Sequence, residues 1–357
     1  MPSEFRRKPS RKNIIRNDRS YKSSDETVSY RERKSTTIKR TFDAQRTKAT
    51  LRGRVIEARS SSWIVTDSSD LWGNTNTIET RVGGLAISNN DDKTLVCIGD
   101  IVLCSVEDGE HGKGTILEVE KRESKLLRKV AGQRIERQVI AANIEQVLIV
   151  ASAAEPFYNT RLIDRYLIAA EDGGLSPVII INKCELMDEE FMREDLRMYN
   201  DLGIPVHFTS CKKNRGLDDV RIVLEQHSSV LAGPSGVGKS SLINALFGIS
   251  LQEEGEISDK YQKGKHTTTT SKVFALGGGA GAVIDTPGMR EFGIIDIPRE
   301  QIAFFFHDFD DYYPHCKYSG CTHTHEPDCA VKAAVEDADI DPRRYDSYLR
   351  IIESITE

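Results

Sequence analysis

One eight-residue segment has the residue types and the spacing of a loop that binds nucleotide phosphates. It is Gly233-Pro234-Ser235-Gly236-Val237-Gly238-Lys239-Ser240, which fits G-x-x-x-x-G-K-[ST]. Its glycines allow a backbone path whose N–H groups point inward at phosphate oxygens. We expect Lys239 to contact the β- and γ-phosphates, which gives it a catalytic as well as a binding role, and Ser240 to bind Mg²⁺.

The elements around this loop have the order that phosphate binding requires. Val230-Leu231-Ala232 is typical of the end of a buried strand, and Ser241 to Phe247 has helical character. Phosphate would therefore also lie at a helix N-terminus, with Ser241 among the nucleotide-binding residues. A chance glycine-rich turn would not explain this succession of strand, loop and helix.

A second motif, Asp-x-x-Gly, ends a short apolar strand within Ala282 to Gly288. Asp285 is placed to hold Mg²⁺ through a water molecule, and the N–H of Gly288 can sense a γ-phosphate. The same tetrapeptide could form a simple turn, but its position after the phosphate-binding loop suits a nucleotide site.

The polar run Gly264 to Thr270 lies between these two motifs and offers four threonine hydroxyls. One of them could complete the Mg²⁺ shell when a nucleoside triphosphate is bound, and Thr268 and Thr269 are the leading candidates. The alternative is a flexible polar loop without a metal contact.

A candidate for guanine recognition, Asn182-Lys183-Cys184-Glu185, precedes the phosphate-binding loop. In an ordinary GTPase the phosphate-binding loop opens the domain and the guanine motif comes near its end. The rotated order therefore suggests a circularly permuted GTPase. Ser210 and Cys211, just beyond a candidate strand that begins at Val206, could contact guanine through backbone groups.

Four soft or borderline metal ligands follow in the spacing Cys316-x4-Cys321-x-His323-x5-Cys329. Three thiolates and one imidazole suit a closed, tetrahedral structural Zn²⁺ site. His315 and His325 compete for the imidazole position, and unrelated surface thiols and histidines are the alternative. The remaining cysteines are scattered and no signal peptide is evident, so a reducing cytoplasm fits better than disulfides.

The elements that would position these motifs form three groups. Five short strand candidates between residues 51 and 119 predict a small β-barrel. From Ala142, apolar strand candidates at 144–151 and 177–181 alternate with helical patterns at 160–170 and 189–201, which indicates a doubly wound α/β sheet. Asn182 and Lys183 then fall at the end of a strand, where such sheets bind ligands.

The charge distribution separates a basic N-terminal tail from an acidic remainder. The net charge is −6, but residues 1–50 hold 15 Lys/Arg against 6 Asp/Glu. Few apolar residues occur there, so we expect a disordered tail, which either binds nucleic-acid phosphates or is a solvated extension. The basic segment 121–141 likewise either touches a nucleic acid or is a solvated linker. Trp63 and Trp72 could stack on bases, although packing is favoured.

The motif order NKxE, GPSGVGKSS, GKHTTTT, DTPGMREFG and the Cys/His cluster resembles the RsgA family of ribosome small-subunit-dependent GTPases, also called YjeQ or EngC, over residues 50–355. The resemblance implies a multi-domain protein: an N-terminal OB-fold β-barrel, a central α/β circularly permuted P-loop GTPase and a small α-rich zinc-binding domain. It favours His323 as the fourth zinc ligand. The expected divisions are a tail 1–49, a barrel 50–120, a linker 121–141, a GTPase domain 142–297 and a zinc-binding domain 298–357.

The resemblance also implies an activity: hydrolysis of GTP late in the assembly of the small ribosomal subunit. The protein would bind the particle and its rRNA with GTP and leave after subunit-stimulated hydrolysis. Met289 stands where Ras-like proteins carry a water-orienting glutamine, and the family suggests His266 for this catalytic role. We expect a cytoplasmic monomer that binds GTP and GDP, without a membrane partner.

Glu185 departs from the family, whose guanine motif ends in Asp. The carboxylate is kept, but an extra methylene displaces it, so guanine preference should survive while its strength is open. Two other functions therefore stay in view. One is a nucleotide-gated RNA-binding module with incidental hydrolysis, and the other is an ATPase with relaxed base choice.

Overall fold

A computed structural model of the protein describes residues 51–59, 61–67, 72, 76–90, 92, 94–106, 113–130, 136–225, 227–248, 271–276, 281–285 and 297–356. The strands of this part of the chain are β1 (Leu51–Ala58), β2 (Trp63–Thr66), β3 (Thr77–Ser88), β4 (Ile101–Val106), β5 (Lys113–Val119), β6 (Lys125–Val130), β7 (Glu136–Ala142), β8 (Gln146–Ser152), β9 (Ser176–Asn182), β10 (Val206–Phe208), β11 (Ser228–Ala232), β12 (Ser271–Ala275) and β13 (Ala282–Asp285). Its α-helices are α1 (Thr160–Asp172), α2 (Glu189–Asp195), α3 (Arg197–Asp201), α4 (Leu217–Leu224), α5 (Lys239–Phe247), α6 (Ala330–Glu336) and α7 (Pro342–Thr356).

The first five strands close into a barrel in the order β1-β2-β3-β5-β4, and β4 pairs back to β1. Only β3 and β5 run parallel among these neighbours. Alternate side chains point inward and form a small apolar core: Val55, Val65, Val102, Cys104, Ile116 and Val119. The predicted five-stranded barrel is confirmed.

The two tryptophans pack rather than present free faces. Trp72 is only 6% exposed, and the Arg54 guanidinium covers its ring at 4.3 Å from the centroid. Trp63 is half-buried against the barrel core. Trp72 in particular has no open face for a base.

The central sheet has the order β10-β9-β8-β11-β13-β12, and its first five strands are parallel. Strands β8 and β11 are buried along their whole length because helices cover both faces of the sheet. Helix α1 packs on one face, and α4 and α5 pack on the other. The predicted doubly wound α/β architecture is confirmed.

The barrel and the central sheet are continuous. Strand β12 pairs antiparallel with β13 on one side and with β1 on the other, where Glu57 lies opposite Lys272. Eleven of the thirteen described strands therefore form one sheet that runs from the α/β layer into the barrel.

The segment predicted as a linker is largely a hairpin, in which β6 and β7 pair antiparallel. Leu126 and Val139 are buried. Arg122 is 7% exposed, because its guanidinium donates to both carboxylate oxygens of Asp100, at 2.7 and 2.8 Å. The sequence analysis did not anticipate this hairpin, and Arg122 is a buried structural residue rather than a solvated one.

A second difference concerns the predicted helix 189–201. It is divided into α2 and α3 at Leu196, whose φ and ψ of −102° and 8° leave the helical range. The side chain of Leu196 is fully buried. Packing of this residue against the sheet thus accompanies the break.

The C-terminal part contains short 3-10 helices at Arg299–Phe305, His307–Phe309 and Tyr313–His315, followed by α6 and α7. Its apolar core, which is rich in aromatic residues, also includes Ile168 of α1, so the C-terminal part packs against the α/β domain. Arg344 of α7 reaches a buried ion pair with Asp164 of α1. In the part of the chain that the structure covers, no helix is long and apolar enough to cross a membrane.

Candidate functional site

The phosphate-binding segment links β11 to α5 and requires glycine at two positions. Gly233 has φ +144°, and a Cβ there would lie 2.1 Å from the carbonyl oxygen of Val150. Gly238 has φ +95°, and a Cβ there would lie 2.3 Å from Nδ2 of Asn182. The loop therefore approaches its neighbours too closely for a residue with a side chain.

Lys239, the first residue of α5, turns back over the loop. Its Nζ donates to the carbonyl oxygens of Gly233 and Pro234, each at 2.7 Å. Val237 is buried at 1% exposure and anchors the loop. Four residues of the loop and of the first turn of α5 are exposed: Ser235, Gly236, Ser240 and Ser241. An ammonium group and an open helix N-terminus thus occur together, as anion binding requires.

Asn182, the last residue of β9, joins three segments of the chain. Its Nδ2 donates to the carbonyl oxygen of Val237 at 3.0 Å. Its Oδ1 accepts hydrogen bonds from Thr209 Oγ1 at 3.3 Å and from the N–H of Cys211 at 3.4 Å. One buried amide therefore holds together the residues predicted to bind guanine and those predicted to bind phosphate.

Lys183 lies beside this amide in a left-handed conformation, with φ 59°. Its Nζ donates to the carbonyl oxygen of Glu155 at 2.5 Å, and the N–H of Ala153 donates to the carbonyl oxygen of Asn182 at 2.8 Å. The segment between β8 and α1 thus packs against the guanine motif. The sequence analysis missed this contact, because a backbone acceptor has no residue-type signal.

Glu185 lies in a short 3-10 helix, Cys184–Leu186, that overlaps the end of the guanine motif. Burial raises its pKa, but a hydrogen bond with Ser210 and the charges of Lys212 and Lys213 outweigh burial, so its pKa lies below the ordinary 4.5. Its Oε2 is buried and has no hydrogen-bond partner within the part of the chain that is described. An ionised oxygen without a protein donor suits a ligand that brings N–H donors.

The turn after β10 supports this carboxylate. Ser210 and Arg215 exchange two backbone hydrogen bonds, at 2.9 and 3.0 Å, and Ser210 Oγ accepts from the N–H of Lys213 at 3.0 Å. The Arg215 guanidinium also donates to Cys184 Sγ at 2.9 Å and to Glu189 at 2.6 Å. Arg215 braces the guanine motif, and the sequence analysis did not identify it.

The structure describes only one of the remaining residues predicted for the nucleotide site. Asp285 ends β13, next to β11, and lies opposite Lys272 of β12 in the sheet register. This places its backbone at the same edge of the sheet as the phosphate-binding loop. His266, Thr268, Thr269 and Gly288 lie outside the described residues.

A cluster of three thiols and one imidazole lies in the C-terminal part. The ligand atoms of Cys316, Cys321, His323 and Cys329 all lie within 4.8 Å of one another. The Sγ atoms of Cys316 and Cys329 are 3.8 Å apart, and Nδ1 of His323 lies 3.6 and 3.4 Å from them. The structure therefore brings together the four residues predicted from spacing.

The two competing histidines are excluded from this cluster. His325 has a side chain that is 83% exposed, and its Nδ1 lies 3.0 Å from Thr324 Oγ1. His315 is exposed as well. His323, by contrast, is fully buried, with φ 54°, and its carbonyl oxygen accepts from Tyr345 at 2.7 Å.

The three distances among Cys316, His323 and Cys329 fit a tetrahedral zinc ion, and Cys321 Sγ lies within 4.8 Å of the other ligand atoms. Bonds of about 2.3 Å to sulfur and about 2.0 Å to nitrogen would separate the ligands by about 3.8 Å for two sulfurs and about 3.5 Å for sulfur and nitrogen. Burial raises the pKa of Cys321 to about 12 and raises that of Cys329. Thiolates would therefore need a cation beside them, which a divalent metal supplies.

Glu326 organises the loop that carries His323. Its carboxylate accepts from Thr322 N at 2.8 Å, Thr322 Oγ1 at 2.6 Å and Thr324 N at 3.0 Å. Burial opposes its ionisation, but these bonds outweigh burial and lower its pKa to about 2. The sequence analysis missed Glu326, since an acidic residue within a metal-ligand spacing gives no signal of its own.

Fold, strand order and motif order define a P-loop nucleotide-binding protein with a rotated GTPase topology. The structure is similar to that of YjeQ from Thermotoga maritima, with a TM-score of 0.67 and 31% identity over 86% of this chain and 98% of that chain. It is also similar to YloQ, described as a circularly permuted GTPase, with a TM-score of 0.64 and 28% identity over 86% and 95% of the two chains.

The sequence comparisons give the family. The model of the RsgA GTPase family matches residues 119–295. Proteins of Chlorobaculum parvum and Chlorobaculum tepidum, both named small ribosomal subunit biogenesis GTPase RsgA, are each 40% identical to this chain. These matches cover 86% and 87% of this chain, and 99% and 100% of the two relatives. The chain belongs to the RsgA GTPase family.

Proposed function

We propose that this protein hydrolyses GTP during late assembly of the small ribosomal subunit. It binds the immature particle and its rRNA in the GTP state and leaves after subunit-stimulated hydrolysis. The observation that carries the proposal is the hydrogen bond from Asn182 to Val237. This bond joins the guanine motif and the phosphate-binding loop, which occur in rotated order along the chain, into one site. The names of the relatives supply the small subunit as the partner.

The guanine base is bound by Asn182, Lys183, Glu185 and the backbone of Ser210 and Cys211. The ionised Glu185 accepts hydrogen bonds from N1–H and the exocyclic amine of guanine. Its unpartnered Oε2 supports this role despite the longer side chain. Adenine presents no N–H donors in that arrangement, so the same carboxylate disfavours ATP.

The phosphates are bound by the backbone of residues 233–241 and by Lys239. On nucleotide binding, the Lys239 ammonium exchanges its two carbonyl contacts for β- and γ-phosphate oxygens. Ser240, Asp285 and a threonine of the pair Thr268/Thr269 would hold Mg²⁺. That ion supplies charge neutralisation between the β- and γ-phosphates.

Hydrolysis breaks the bond between the γ-phosphorus and the β–γ bridging oxygen as a water oxygen attacks. The products are GDP and inorganic phosphate. We assign the orientation of the attacking water to His266, because Met289 has no group that can accept its proton. Gly288 senses the γ-phosphate through its N–H and so distinguishes the two nucleotide states.

The cluster Cys316, Cys321, His323 and Cys329 would hold a structural Zn²⁺, which supplies a closed tetrahedral crosslink for a domain built from short helices. The fit of its distances to zinc supports this assignment. We also propose that the barrel and the basic tail 1–49 contact rRNA. The domain divisions and a cytoplasmic, monomeric state remain predictions.

Retention of a hydrolysis-defective variant on the subunit tests this function. His266→Ala should still bind GTP, but it should stay on isolated small subunits after sedimentation with GTP, whereas the wild-type protein is released. Lys239→Ala, which loses nucleotide binding, is the control and should not be retained. Normal release of His266→Ala would instead favour a nucleotide-gated RNA-binding module whose hydrolysis is incidental.

A further inference from the structure

The segment between β8 and α1, residues 153–159, contacts both nucleotide motifs. The carbonyl oxygen of Glu155 accepts from Lys183 Nζ at 2.5 Å. Pro156 lies against the phosphate-binding loop, since a Cβ on Gly236 would be 3.6 Å from its Cδ. A displacement of this segment would therefore disturb the guanine motif and the phosphate-binding loop together.

Apolar packing holds the two ends of this segment, because Ala153 and Tyr158 are buried in the core, whereas residues 155–157 between them are exposed. A cavity of about 230 Å³ lies under it, between Pro156 and Tyr158 on one side and Pro234 and Val237 of the phosphate-binding loop on the other. Strand β8 and helix α1 complete the walls. Because residues 155–157 lie outside the packed core, their position depends in part on the polar contacts that hold the segment.

One polar contact of this segment leads to the C-terminal domain. The hydroxyl of Tyr158 donates to Asp195 Oδ2 at 2.5 Å, and Arg343 of α7 donates to Asp195 Oδ1 at 2.5 Å. Arg343 is itself held by Asp341, at 3.0 and 2.7 Å. Tyr158 is 5% exposed, so its ring is fixed at the cavity wall. We call Tyr158, Asp195 and Arg343 the Tyr158 clamp.

We propose that the Tyr158 clamp positions residues 153–159 for nucleotide binding, so that the C-terminal domain contributes to guanine-nucleotide affinity without touching the nucleotide. The inference rests on the proposed function of the site. Without the clamp, the segment lies over a cavity and populates positions in which Glu155 and Pro156 no longer support their partners. A nucleotide must then select the competent fraction, which weakens its apparent affinity. Tyr158 is a positioning residue.

The dissociation constant for fluorescently labelled GDP tests the clamp in the full chain without the ribosomal subunit. Tyr158→Phe removes one hydroxyl and keeps the ring, and we expect a dissociation constant about threefold to tenfold higher. Arg343→Ala should weaken binding to a similar extent, and Arg343→Lys should restore most of the affinity. The double variant Tyr158→Phe/Arg343→Ala should bind about as well as the weaker single variant, because both act through Asp195.

Tyr199→Phe is the matched control. The Tyr199 hydroxyl donates to Asp164 at 2.9 Å and to the carbonyl oxygen of Thr160 at 3.2 Å, so the same chemical change weakens contacts near the domain interface without touching residues 153–159 directly. This variant should lose thermal stability and keep its GDP affinity. Equal losses of stability in Tyr158→Phe and Tyr199→Phe, with unchanged affinity in both, would overturn the clamp. Absence of GDP binding by the wild-type protein would contradict the proposed function itself, and with it the clamp.

Discussion

Replacement of Gly238 by alanine adds one methyl group, which should weaken the binding of both phosphate and guanine. Gly238 has φ +95°, and its new Cβ would lie 2.3 Å from Nδ2 of Asn182, the atom that donates to Val237. The methyl group and the amide cannot both keep their places. Gly238→Ala should therefore separate the guanine motif from the phosphate-binding loop.

The size of the effect follows from two contributions. A residue with a side chain in the left-handed region costs about 1–2 kcal/mol. Loss of the hydrogen bond from Asn182 costs about 0.5–1.5 kcal/mol. The free phosphate-binding loop can relax to relieve this strain and nucleotide binding must restore its shape, so both costs oppose binding. Together they amount to about 1.5–3.5 kcal/mol, or about a 10-fold to 400-fold increase in the dissociation constant for GDP.

Gly248→Ala provides the matched control. Gly248 also has a positive φ, +65°, but no atom lies within 4 Å of the position of its Cβ. This variant should lose about 1 kcal/mol of stability and keep its GDP affinity within about twofold. Titration of both variants with fluorescent GDP, alongside thermal unfolding, separates the two effects. If Gly238→Ala binds GDP within about twofold of the wild-type protein, the coupling of the two motifs through Asn182 is refuted.

Two further results are expected. The Asp310 carboxylate raises the pKa of His307 above 6.5, and Glu171 of α1 adds to the rise, although burial of the imidazole opposes it. The resulting stabilisation is fully present below pH 6.5 and is lost as the pH rises through the raised pKa. His307→Gln should thus lower the unfolding temperature at about pH 5.5 but not at about pH 9, and an equal loss at both would contradict this. Elemental analysis should find about one zinc per chain in the wild-type protein and in the control variant His325→Ala. Cys321→Ser should contain much less zinc, and its unfolding temperature should fall. Full zinc retention by Cys321→Ser would argue against the cluster as the zinc site.

The elements that the sequence predicted well are those with short-range patterns. The five barrel strands and the buried β8 and β9 follow from alternating or continuous apolar residues. The metal-ligand cluster follows from cysteine and histidine spacing, because four ligands within a short segment can meet without help from the rest of the fold. Spacing left His315 and His325 open, and burial of His323 decided among them.

The features that the sequence did not predict depend on contacts between distant residues. Arg122 belonged to a basic run, yet it is buried in an ion pair with Asp100, which directly precedes the neighbouring strand β4. The contact between Lys183 and Glu155 uses a backbone oxygen, and any residue type could provide that. The Tyr158 clamp joins three separate parts of the chain, so only the folded protein brings Tyr158, Asp195 and Arg343 together.

Turnover of GTP and ATP by the purified protein, with and without isolated small ribosomal subunits, tests the central claim most directly. We predict slow hydrolysis by the protein alone and a large increase with subunits that is confined to GTP, because Glu185 accepts from the N–H groups of guanine. Unchanged GTP turnover in the presence of subunits would contradict a function that depends on the particle. Equal use of ATP would contradict the guanine assignment.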